Sequence, residues 1–452
     1  MTGGALAGRA RPRTYHWFVV ALLAVLAVAA VDYWRDRPVD VPAADLDPAA
    51  LRPGPGPRTF TEALASADHA VEGARQRLAA SPDEWLRMEV LARALTARYR
   101  LTADAADLAE ADRLLDRAIA SAPWPAGPAL SRAAVSLAVH DLDAAETALA
   151  RFDASVVPPP AEEQAEARSV RCEIAFQHGR VEDARRLCAP GGDLATALRG
   201  ANIAAKTGET GQAALAVEAL LRRPGLPPAT LATLALQRAS LALAEGDWEA
   251  SGRWARAAAE RVFPGYWLSE AYVAQQYALE GNRAEARRRY AGLAERTGDA
   301  DVLDALAVLA QADGRTEEAR GWAARAGAAW RERSGLLPLA YAGHQAEHLL
   351  LHGAPRAALA LTARDYRRRP HPATTVHYAL ALQRNGQPGR ALAVVRGGEA
   401  QGFLTADMKL AEATALGALG RAAEGGQVLA EARRLNPRID SFRQQFVTFA
   451  QN

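Results

Sequence analysis

Aromatic residues make up only 6% of this 452-residue chain, although half of it (50%) is apolar. That shortage excludes a core arranged around bulky rings, so the apolar surfaces must pack closely through small and aliphatic side chains. Cysteine occurs only twice, and no CxxC pair is present, which removes the usual redox signal. A net charge of +2 is too balanced to call for nucleic acid as a partner. The P-loop, the Rossmann glycine fingerprint and the G-x-S-x-G elbow are also missing. With them go the common nucleotide and hydrolase signals, so neither a cofactor nor enzyme activity is expected. No run alternates with period two, so no sheet is expected.

What the chain does contain is a rhythm. A small residue, a turn glycine seven positions later and an alanine five further on recur about every 29 to 39 residues. The clearest instances are Ala201/Gly208/Ala213, Ala274/Gly281/Ala286, Ala307/Gly314/Ala319, Ala346/Gly353/Ala358 and Ala379/Gly386/Ala391. Cys172/Gly179/Ala184, Ala239/Gly246/Ser251 and Ala413/Gly420/Gly425 are looser copies, Ala133/His140/Ala145 replaces the glycine, and Ala97/Asp104/Ala109 is fainter still. Two antiparallel helices approach closely only where small side chains face each other, and a tight link favours a residue that tolerates left-handed backbone angles. Proline tends to follow the second helix, as at Pro224, Pro264, Pro370 and Pro437, separating one hairpin from the next. Of the arginine clusters, Arg367 to Arg369 falls late in a second helix, and Arg287 to Arg289 reads as a solvated outer face.

These features resemble the tetratricopeptide repeat (TPR) family over roughly residues 85–437. The sequence departs from that family at its large aromatic positions: two residues past the turn glycine stands Trp248 in one copy, but Val181, Thr210, Arg283, Thr316, Pro355 and Pro388 in others. The resemblance implies a concave surface lined by first helices, with protein partners as its ligands. By register its polar candidates are Asn202, Gln275, Asp304, Gln311, Glu347 and Gln383, with Leu198, Leu236, Leu243 and Leu350 as apolar companions.

Near the start, Trp17 to Val31 is an uninterrupted apolar run preceded by Arg9, Arg11 and Arg13 and bracketed by Tyr15, Trp17, Tyr33 and Trp34. At the helical rise, Tyr15 to Trp34 spans roughly 30 Å, enough for one membrane crossing. The leading reading is a single-pass anchor with its N-terminus in the cytoplasm; the alternative is a signal peptide cleaved near Ala29, which sends the repeats to the periplasm without an anchor. Pro38, Pro42, Pro48, Pro53, Pro55 and Pro57 then mark an extended tether. At the far end, Phe442, Phe446 and Phe449 stand at helical spacing and suggest a helix covering the last repeat.

Two smaller sites stand out. Cys172 and Cys188 fall on facing helices of one hairpin, where they either bridge in an oxidising compartment or remain two buried thiols. His344, Glu347 and His348 form an H-x-x-E-H match, with His352 one turn further on. Histidines four apart share a helix face, which allows a two-histidine metal site or, as a weaker reading, a zinc peptidase; the ordinary reading is polar residues at a helix edge.

The sequence thus predicts an all-α protein, a right-handed α-solenoid of about nine to ten TPR-like hairpins preceded by one N-terminal transmembrane helix. Its divisions are a cytoplasmic segment over 1–14, an anchor or signal peptide over 15–34, a tether over 35–58, the solenoid over 59–437 and a capping helix over 438–452. The alanine- and arginine-rich composition looks like that of a high-GC bacterium. The expected role is a scaffold tethered by residues 15–34 to the inner membrane, its repeats on the periplasmic side. Anchored repeat proteins of similar layout assist envelope assemblies such as secretion or polysaccharide export. The second reading is a metal-binding accessory protein using His344, His348 and His352.

Overall fold

The computed structural model describes residues 46–188 and 193–449. These carry twenty-one α-helices and no strand. A leading helix, α1 (Phe60–Ala79), precedes ten helical hairpins. The first three are α2/α3 (Trp85–Thr102, Ala105–Ser121), α4/α5 (Ala129–Ala138, Leu142–Asp153) and α6/α7 (Ala161–Gln177, Val181–Leu187). The next three are α8/α9 (Leu194–Lys206, Thr210–Leu221), α10/α11 (Pro228–Ala244, Trp248–Ala257) and α12/α13 (Trp267–Glu280, Arg283–Thr297). The last four are α14/α15 (Ala300–Ala312, Thr316–Leu336), α16/α17 (Ala342–Leu351, Pro355–Arg368), α18/α19 (Pro372–Arg384, Pro388–Ala400) and α20/α21 (Ala406–Ala418, Ala422–Leu435).

The small positions do what close helix packing requires. Ala201, Ala213, Ala274, Ala286, Ala346, Ala358, Ala379 and Ala391 are all buried between the paired helices. Second helices begin where a side chain satisfies the free backbone N–H groups, as at Asp141, Asp247 and Asn282, or where proline occupies the first turn, as at Pro355 and Pro388. Where the glycine is replaced, His140 itself takes the left-handed angle (φ 61°). The faint first copy is real as a hairpin but out of register by one residue. Ala103, not Asp104, adopts the positive φ, Asp104 caps α3, and Ala97 is exposed.

The hairpins wind so that successive turns of the superhelix rest on one another. Phe176 of the third hairpin meets Phe403, just past the ninth (5.6 Å, edge-on), and Leu404 N–H donates to the Lys206 carbonyl of the fourth at 2.9 Å. Asn436, past the tenth hairpin, donates to the Leu243 carbonyl of the fifth at 3.1 Å, and Arg443 to the Leu279 carbonyl of the sixth at 3.1 Å. Arg369 lies buried at the same level: it grips Asp365 with two hydrogen bonds of 2.9 and 3.0 Å and reaches Gln177 of the third hairpin at 3.3 Å. It therefore pins two turns together as well as ending a helix. Arg287, Arg288 and Arg289 do lie outside, paired with Asp313 and Glu285.

Two expected segments differ. The described part of the tether is docked on the repeats: Leu51 is buried, Gly54 N–H donates to the Leu226 carbonyl at 2.7 Å, and Phe60 N–H donates to the Pro264 carbonyl at 3.0 Å. Beyond a short 3₁₀ turn at Pro48–Ala50 its prolines keep it from continuing as helix, and its backbone groups find partners on the loops they cross. The capping helix is replaced by a 3₁₀ turn, Phe442–Phe446, and an extended tail. Tertiary contacts win over helical spacing there, because Phe449 lies against Tyr272 and Tyr290 and the Thr448 N–H donates to Gln275 at 2.7 Å. The transmembrane segment over 15–34 lies outside the described residues; among those described, no helix is long and apolar enough to cross a membrane.

Candidate functional site

Several of the positions that the register assigns to the groove are taken up by the chain's own packing. Gln275 is buried and accepts from the backbone of the C-terminal tail at Thr448 and Phe449. Gln383 donates to the Ala411 carbonyl of the next repeat at 2.7 Å. Asn202 lines a cleft of about 70 Å³ with Lys206, Gln237 and Asp407 between superhelical turns. Gln311 is exposed, and Leu236, Leu243 and Leu350 are core residues, while Leu198 is partly buried. The register cannot tell which of these positions the chain uses for its own cohesion.

The inner surface stays open at the first three hairpins. There α2, α4 and α6 border a cleft of about 620 Å³ lined by Trp85, Glu89, Arg93 and Arg100 on one side and Ser131, Glu163 and Glu166 on the other. Its lining includes the breaks before α4 and α6, at Pro125 to Pro128 and at Ser155 and Val157 to Pro160. Trp124, Val156 and Val157 are 69%, 83% and 74% exposed, and Arg151 lies over the Trp124 ring at 5.1 Å. The proline run was legible as a break in helicity; that it borders the open groove was not.

The histidine helix α16 separates its three histidines. His344 stacks on Trp330 at 5.2 Å, and its pKa is lowered to about 4, first by burial and then by the charges of His377, Arg333 and Arg369. His348 and His352 turn instead toward Asp304 on α14. His348 Nδ1 lies 2.8 Å and His352 Nε2 2.9 Å from the same Asp304 Oδ1, while Trp330 Nε1–H donates to Oδ2 at 2.8 Å. Burial alone would raise the Asp304 pKa, but the hydrogen bonds from His348, His352 and Trp330 outweigh it and hold the carboxyl below its ordinary value. Glu347 is pushed up to about 7 by burial and by the Asp304 charge, and its carboxylate lies 3.9 Å from His377. The two histidines of the H-x-x-E-H match therefore do not converge on one ion, and the peptidase arrangement is not formed. The group that does converge is Asp304, His348 and His352, whose ligand atoms all lie within 4.8 Å of one another. No local motif announces it, since Asp304 and His348 are 44 positions apart.

Cys172 and Cys188 are joined by a disulfide, with Cα atoms 5.7 Å apart, closing the third hairpin on itself.

No family model matches the sequence, and no curated protein does. Among solved structures, the chain is similar to yeast Tom70, at 13% identity over 85% of this chain and 92% of that one (TM-score 0.31). It is also similar to a tetratricopeptide repeat protein from Parabacteroides merdae, at 14% identity over 56% of this chain and 99% of that one (TM-score 0.33). A third similarity is to the APC/C hetero-tetramer Cut9-Hcn1, at 12% identity, covering 87% and 95% (TM-score 0.33). The description of this chain as a TPR-like solenoid rests on its ten hairpins.

Proposed function

We propose that this protein is a scaffold that recognises protein partners through the open groove of its first three hairpins, and that residues 15–34 tether it to a bacterial inner membrane. The observation that carries the reading is a contrast between hairpins: the chain's own C-terminal segment lies on the fifth and sixth, and the groove bordered by α2, α4 and α6 keeps about 620 Å³ free. Its chemistry suits a peptide segment offering an apolar side chain to Val157 and the proline run beside it and a basic one to Glu163 and Glu166. Display beyond the membrane agrees with the Cys172–Cys188 disulfide, because such bonds persist in oxidising compartments. An envelope assembly, such as one for secretion or polysaccharide export, is the setting in which a tethered exported scaffold of this kind acts.

Site-specific photocrosslinking in native membranes tests it. A crosslinker at Arg93 or Ser131 is expected to give a discrete protein adduct that Val157→Ala weakens, while one at Gln311 or Gly386 gives none. Equal labelling from all four positions, or none from the groove, refutes the assignment.

A further inference from the structure

The group at Asp304 has a geometry that a simple ion pair does not require. One carboxylate oxygen, Oδ1, is shared by two imidazole nitrogens, His348 Nδ1 at 2.8 Å and His352 Nε2 at 2.9 Å. The two rings belong to the first helix of the eighth hairpin and the carboxylate to that of the seventh, so the three donors meet across a repeat boundary. Histidines four apart on a helix face one way, and here their rings lie 4.8 Å apart.

We propose that Asp304, His348 and His352 form a binding site for a divalent transition-metal ion, with zinc as the ion the donors fit. Two imidazoles and a carboxylate are borderline ligands. They suit zinc, and also cobalt, nickel or copper, whereas magnesium and calcium call for oxygen alone. In a tetrahedral zinc centre neighbouring donor atoms stand about 3.3 Å apart, given metal–ligand bonds of about 2.0 to 2.1 Å. Opening the two short contacts by about half an ångström, and bringing the two nitrogens, which lie within 4.8 Å of each other, to the same spacing, makes room for the ion. In the metal-free arrangement each of those contacts requires a ring N–H; the ion takes the place of both hydrogens, and each ring then presents a lone pair to it.

The surroundings already hold the ligands in place. Trp330 Nε1–H donates to Asp304 Oδ2 at 2.8 Å, which orients the carboxylate and leaves Oδ1 facing the histidines. Gly327 on α15 gives His348 its room, since a Cβ there would stand 2.8 Å from Nε2. His352 ends its helix and is the most exposed of the three, which gives an ion access from solvent. Three protein ligands leave a fourth position for water or for a side chain from a partner. The site is separate from the groove of the first three hairpins, so either reading can fail without the other.

The test uses untagged full-length protein, stripped with a chelator and titrated with Zn²⁺, and with Co²⁺ to observe its visible absorption. One equivalent of either ion is expected to bind and to raise the melting temperature. Cobalt is expected to give the intense bands of a tetrahedral or five-coordinate centre. His352→Ala, at the exposed edge, and Asp304→Asn are each expected to weaken zinc by about tenfold or more, while His344→Ala stays within about twofold. Circular dichroism establishes that the variants are folded. Absence of a stoichiometric equivalent, or unchanged zinc affinity in folded His352→Ala, overturns the proposal and leaves a hydrogen-bonded clasp between repeats.

Discussion

Eight turn glycines occupy the same place in their hairpins, yet they live in two environments. Gly179, Gly208, Gly246 and Gly281 lie beneath the next superhelical turn, where an added Cβ would meet Gln401, Leu404, Asn436 or Arg443 at 2.5 to 3.2 Å. Gly314, Gly353, Gly386 and Gly420 have nothing within 4 Å of that point. The local demand is shared, because all eight take a positive φ. The tertiary demand falls only on the covered four. A repeat motif thus specifies each hairpin without stating whether another turn of the chain will rest upon it.

The largest effect is expected from removing the covering layer. A chain ending at Leu435 loses Ile439, Phe446 and Val447, all buried. At about 1.5 to 3 kcal/mol for each large apolar side chain, the loss comes to several kcal/mol. Hydrogen exchange is expected to rise at the turns of Gly246 and Gly281 and to stay unchanged at those of Gly353 and Gly386. Uniform acceleration along the chain would instead mean that the turns of the superhelix do not act separately.

Substitution at one covered glycine comes next. Gly246→Ala places a Cβ 2.5 Å from Asn436 Oδ1 at a φ of 77°. Left-handed strain of about 1 to 2 kcal/mol and displacement of a buried hydrogen-bonding group costing about 1 kcal/mol more give about 2 to 3 kcal/mol in urea unfolding. Gly386→Ala carries the strain alone and is expected to cost about 1 kcal/mol less than Gly246→Ala. Similar costs at both positions would collapse the distinction.

The smallest effect concerns acid. His140 and His371 lie between the turns, and both are held well below the usual imidazole value, chiefly by burial and then by the Arg369 charge. The unfolded chain therefore takes up those protons first. Stability is complete above about pH 6.5 and is lost as the pH falls below it. His140→Gly removes one of the two groups and relaxes a positive φ of 61°. The variant is expected to lose less stability than the parent between about pH 7 and about pH 5, read from urea midpoints. An identical acid response would clear His140 of any part in it.

Much of the hairpin architecture was legible because its causes are local. Ala274, Gly281 and Ala286 lie within thirteen consecutive residues, and the close helix approach they permit needs no information from elsewhere. Even His140, without a glycine, was found from its neighbours. The slip at Ala103 arose because an alanine can take the left-handed angle when its surroundings hold it there. The candidate site was legible only in halves. His348 and His352 announced themselves by spacing; Asp304 stood among the groove residues, and His344, inside the motif, went to Trp330.

By itself the sequence determined an all-helical chain of paired helices, because spacing, small side chains and turn chemistry act over a few residues. Only the tertiary structure decided that the tail would lie on Gln275, that one stretch of inner surface would stay open, and that Asp304 would meet two histidines of the next repeat. The reason is the superhelix: a small rotation per hairpin accumulates over several repeats before distant segments touch, and no local pattern encodes that sum.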